Sequence, residues 1–93
     1  MSPEQPERDL KAETDRITTV MHDHKADLLS KPNVVGVAVG FQRQAGISTQ
    51  NLALVVMVDN KIPSNLLPPE GRIPTTIDGI PVDVQEIGKL SAL

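Results

Sequence analysis

The chain has 93 residues, a formal net charge of −3, no cysteine and a single aromatic residue, Phe41. This length allows one small domain. The dispersed charge offers no basic face for nucleic acid, no apolar run reaches the roughly 20 residues of a membrane span, and without cysteine there is neither a disulfide framework nor a thiolate metal site.

The opening stretch MSPEQPERD is acidic and has no apolar segment of the kind a secretory signal needs, so a cytoplasmic, bacterial-type protein is expected. Residues 1–5 read as a frayed start and residues 6–31 as an amphipathic helix. Pro6 suits a first helical turn, Glu7 and Asp9 favour the positive end of the dipole, and Pro32 biases Lys31 out of helical geometry. Leu10, Thr14, Ile17, Met21, His24 and Leu28 recur at alternating steps of four and three, with Val20 and Leu29 widening the stripe. The stripe covers the domain's own sheet or meets a partner helix. Its length and two polar positions argue against an independent coiled coil.

After Pro32 the period changes to two. NVVGVAVGF sets Val35, Val37, Val39 and Phe41 on one face and Val34, Gly36, Ala38 and Gly40 on the other. Gly46 is the natural turn residue before NLALVVMVD, in which Leu52, Leu54, Val56 and Val58 alternate with Ala53, Val55 and Met57. These two runs are expected to form a hairpin with both faces largely buried. A Pro-rich connection follows, with one helical turn over Ser64–Leu67. Asp78-Gly79 then marks a second hairpin that pairs Ile77 with Ile80, Thr75 with Val82 and Ile73 with Val84. Pro74, Thr76, Pro81 and Asp83 point outward, and the strand ends near Gln85–Glu86. The expected fold is α+β: a long N-terminal helix on a small, mainly antiparallel sheet of about four strands, with residues 32–93 forming the β-rich part of the same domain.

No chemical constellation emerges. Gly36 and Gly40 lack the spacing and the Lys-Ser/Thr of a phosphate loop, and they share a strand face instead of opening a helix. They form a smooth track suited to close approach, with the N-terminal helix as the expected occupant and a partner chain as the second candidate. His22 and His24 lie about 200° apart on a helix and cannot chelate one ion together. Ser48 and Ser64 have no neighbouring base, so no triad is present. The chain is expected to be no enzyme and to need no cofactor or metal.

The order of segments resembles a known family. VVGVAVGFQRQAG, NLALVVMVDNKIPSNLLP and RIPTTIDGIPVDVQEIG are similar to the small domain that precedes the protease domain in certain bacterial trypsin-like serine proteases, with a related arrangement in the plant proteins called narrow leaf. Matching positions are Gly36, Gly40, Val58, Lys61, Pro63, Ile73, Pro74, Ile77, Asp78, Gly79, Pro81, Asp83, Val84, Glu86 and Gly88. Ala38 stands where the pattern has a middle glycine, Ala45-Gly46 where it has Gly-Gly, and Asn60 where it has the first of two lysines. The resemblance implies an accessory module alone, because the family's catalytic triad has no positions in this chain.

The expected function is therefore a non-catalytic interaction or assembly module, with itself or a protease domain as partner and neither nucleic acid nor membrane involved. Self-association would also add burial to a core poor in large anchors. Ile17, Val20, Met21, His24, Leu28, Gly36 and Gly40 are the candidate interface residues, helped by strand addition at an open sheet edge. The rival expectation is a small ligand-binding or hydrolase-associated protein with a polar pocket around Lys61, Asp78 and Asp83.

Overall fold

A computed structural model describes residues 9–87; the frayed start, Pro6 and the closing Gly88 fall outside them. Helix α1, Leu10–Leu29, begins where Asp9 accepts a hydrogen bond on its side chain from the Ala12 N–H at 3.0 Å. That bond satisfies one of the donors a helix start leaves open. At the other end Ser30 returns its N–H to Ala26 and Asp27 and its hydroxyl to the Asp27 carbonyl. Lys31 Nζ reaches the Glu70 carbonyl at 2.8 Å, and Asn33, at φ 69°, turns the chain into the sheet.

Four strands follow: β1 Val34–Gln44, β2 Ile47–Val58, β3 Thr76–Ile77 and β4 Ile80–Glu86. Their order across the sheet is β1-β2-β4-β3. Both expected hairpins form. Ala45 and Gly46 make the first turn with φ of 52° and 79°, and Asp78 and Gly79 the second with 50° and 78°. Next to its turn the second hairpin has the expected register, with Ile77 facing Ile80 and the Val82 N–H bonding the Thr75 carbonyl at 2.9 Å, but β3 begins only at Thr76 and the expected Ile73–Val84 pair lies outside the ladder. The two hairpins join through a parallel pair, β2 against β4, with Leu54 beside Val82 and Val58 beside Glu86. The sheet is thus mixed, though mostly antiparallel. The Pro-rich segment makes the crossover that a parallel pair needs. It carries the 3-10 turn Ser64–Leu66 and a second one, Pro69–Gly71, which Pro69 opens because its missing N–H is not needed at a first helical position.

The helix lies on one face of the sheet. Ile17, Val20 and Leu28 pack against Leu54, Val56, Val58, Ile77, Ile80 and Val82, with Val34, Val37, Val39 and Val84 around them. The expected faces of β1 need correcting at one point. A bulge at Val35 shifts the register between Val34 and Gly36. One extra residue reverses the alternation, so Val34 joins Val37 and Val39 at the core while Val35 is 49% exposed. The occupant of the glycine track also changes. Gly36, Ala38 and Gly40 belong to the face opposite α1, because the branched residues of β1 and β2 present the broader apolar surface on the other side. Over the glycines lean side chains of β2: a Cβ at Gly36 would come 2.9 Å from Met57 Cε, and one at Gly40 would come 3.3 Å from Val55 Cγ2.

Candidate interaction surfaces

The order of the strands leaves β1 at one border of the sheet. Among the described residues it pairs with β2 alone, so its other side presents main-chain donors and acceptors with no strand partner. From Val34 to Gln42 this border contains no charged residue and no proline. Those are the usual guards of a free edge. Val35 and Phe41, 49% and 43% exposed, stand near its two ends. Between the bulge at Val35 and a second irregularity after Phe41 the ladder is regular.

The second irregularity bends the hairpin. Thr49 Oγ1 donates to the Gln42 carbonyl at 2.8 Å and accepts from the Asn51 N–H at 3.2 Å, closing the extra residues of β2 into a local loop. Beyond it the Arg43 N–H donates to Asp83 Oδ2 at 2.9 Å. Arg43 and Asp83 belong to strands separated by β2, and two strand spacings in a flat sheet are about 10 Å. An aspartate cannot span that gap, so the hairpin arm must curl over the face opposite α1. Under this arm Ala53 and Val55 become buried although no described helix covers them. A shallow cleft of about 320 Å³ runs between the arm and the glycine track, lined by Ala38, Gly40, Phe41, Arg43, Ser48 and Val55 among others.

Two further clefts involve the residues of the ligand-pocket expectation. Lys61 and Asp83 line a cleft of about 400 Å³ with Arg43, Gly46 and Glu86. Asp78 is elsewhere, in the β3–β4 turn. The acids of this cleft already serve the fold: Asp83 accepts from Arg43 N–H and from Gln85 Nε2 at 2.8 Å, and Glu86 Oε1 accepts from the Lys61 N–H at 2.7 Å. The second, about 440 Å³, lies under the Pro-rich segment and is mostly apolar, with Val58, Ile62, Pro63, Leu67 and Ile73 in its wall beside Lys61. No group of three or more His, Asp or Glu among the described residues could hold a metal ion.

The candidate interface residues fall into separate places. Ile17, Val20 and Leu28 are buried in the chain's own core, and Met21 packs at its margin. His24 is half-buried, with Nε2 3.2 Å from Asp78 Oδ2, and so ties α1 to the β3–β4 turn. Both side chains are open enough to water that such a contact contributes little stability, at most about 1 kcal/mol. Gly36 and Gly40 lie on the other face, beside the free edge. Sequence reasoning did not find the Arg43–Asp83 contact or the exposure of Val35. The first depends on the curl of the hairpin and the second on a bulge, and neither leaves a local signature.

Fold and surfaces together define a small α+β module: one helix on a four-stranded mixed sheet, with an edge strand free of charge and proline over Val34–Gln42. Residues 14–85 match the NARROW LEAF 1 N-terminal domain, and the chain belongs to that family. A comparison with curated proteins finds no match. No helix among the described residues is long and apolar enough to cross a membrane.

Proposed function

We propose that this chain is a non-catalytic protein–protein interaction module that assembles with its own kind, with a trypsin-like serine protease domain, or with both, in a bacterial cytoplasm. The observation that carries this reading is the uncharged outer edge of β1, whose main-chain groups have no strand partner among the described residues. Such an edge is a template for strand addition: backbone hydrogen bonds give affinity and the alternating side chains give selectivity. Membership of an N-terminal domain family supports a role beside another domain. The ligand-pocket alternative is weaker. Asp78 stands apart from Lys61 and Asp83, and the carboxylates of Asp83 and Glu86 already hold backbone N–H groups.

Light scattering on the purified chain, alone over a wide concentration range and mixed with a bacterial trypsin-like protease domain, tests the proposal. A mass above that of the monomer, or a complex with the protease domain, is the expected result. Val35→Lys, which places a charge on an exposed edge position, should weaken either association. A chain that stays monomeric throughout and forms no complex overturns the reading.

A further inference from the structure

We infer that β1 pairs antiparallel with β1 of a second copy of this chain, about a twofold axis passing midway between the two Ala38 residues. The inference rests on the interaction reading and specifies both the partner and the register. A twofold interface is isologous, so the strand must be complementary to its own reverse. The segment from Gly36 to Gly40, Gly-Val-Ala-Val-Gly, reads the same in both directions. Ala38 is also the midpoint of the uncharged stretch from Val34 to Gln42.

With the axis at Ala38, the second copy's Val39 faces Val37 and its Gly40 faces Gly36. Val37 and Val39 both lie on the helix side of β1, so β-branched residues meet across the strands, a favourable cross-strand pair. On the other side only Gly36, Ala38 and Gly40 meet, and nothing there is bulky enough to hold the strands apart. No charged residue lies between Val34 and Gln42, so no like charges oppose each other within the paired segment. The regular ladder between the bulge at Val35 and the irregularity after Phe41 encloses this segment. An axis perpendicular to the sheet would double the four strands into one continuous sheet and keep both helices on the same face. Phe41 and Val35 would flank the new ladder at each end, which accounts for large apolar side chains on an edge that lacks charge.

The chain has no cysteine, so Ala38→Cys introduces a single thiol beside the proposed axis. Directly opposed Cβ atoms in an antiparallel pair lie about 4.5–5.5 Å apart, within a small adjustment of disulfide geometry. Mild oxidation should convert Ala38→Cys to a covalent dimer at least tenfold faster than Thr76→Cys, an exposed control on β3 at the opposite border. Phe41→Lys, at an exposed position, should raise the dimer dissociation constant tenfold or more while leaving the melting temperature of the dilute chain unchanged. If the chain self-associates but Ala38→Cys crosslinks no faster than Thr76→Cys, the register is overturned and the interaction reading stands. If the chain is monomeric alone yet binds a protease domain, the second copy is overturned and the interaction reading again stands. A chain that associates with neither removes both.

Discussion

Ala45, Gly46, Asp78 and Gly79 hold positive φ angles at the two hairpin turns, and they tolerate that geometry unequally. An L-residue in this region costs roughly 1–2 kcal/mol, which glycine avoids and Asn or Asp partly escapes. Gly79 is at φ 78°, and a Cβ there would meet Arg16 Nη2 at 3.6 Å, an ordinary contact. Gly79→Ala should therefore cost about 1–2 kcal/mol through the backbone alone, read as a lower urea midpoint at unchanged slope. Ala45, at φ 52°, already bears that cost. Ala45→Asn recreates the Asn-Gly pair that two-residue hairpins favour and should raise stability by up to about 1 kcal/mol in the same experiment. A loss of stability on Ala45→Asn would show that the Ala45 side chain makes a contact worth more than its strain. Gly36 and Gly40 are a different case, since what matters there is Met57 and Val55 leaning over them.

Among the elements, α1 contributes to the core through few residues, and Leu28 is the most deeply placed at 1% exposure. Leu28→Ala should cost about 2–5 kcal/mol, because the transfer energy of the side chain and the cavity left behind add together. Small domains hold only about 5–15 kcal/mol in total, so thermal unfolding of this variant should begin far below that of the parent. An effect under about 1 kcal/mol would mean that the helix can close the gap by shifting along the sheet. The helix and both hairpins were legible in the sequence for local reasons. The stripe of Ile17, Val20 and Leu28 has helical spacing, and Asp78-Gly79 fixes its own register. The parallel joint of β2 with β4 was not legible, because the alternation of Ile80, Val82 and Val84 suits either strand direction. Nor was the side of the sheet on which α1 would lie. Both faces of β1 and β2 are apolar, and the bulge that transfers Val34 to the core has no residue signature. Of the candidate interface, Gly36 and Gly40 border the free edge, whereas Ile17, Val20 and Leu28 serve the interior; amphipathic spacing alone cannot tell a helix's own sheet from a partner.

For the whole molecule, the position of β2 decides how stability is distributed. Residues Leu54–Val58 pair with β1 on one side and β4 on the other, and Leu54 and Val56 are fully buried. Opening them requires loss of both hairpins and of the helix contact, which amounts to global unfolding. The Ala45-Gly46 turn and the Pro-rich segment are mostly exposed and can open alone. In dilute solution, amide hydrogen exchange should therefore be slowest in Leu54–Val58, by about a thousandfold or more over the hairpin tip, which corresponds to roughly 4 kcal/mol of local difference. Strand β1 should fall between these limits, since one of its sides has no strand partner among the described residues. Raising the concentration separates interior from edge: protection in Leu54–Val58 should barely change, while alternate amides of Gly36–Phe41 should slow as strands pair across Ala38. Uniform slowing of the whole sheet would indicate general stabilisation and no edge contact. If Leu54–Val58 exchanged as fast as β1 in the dilute chain, the core would not be centred on β2, and the reason for seeking the partner at the outer border of β1 would be lost.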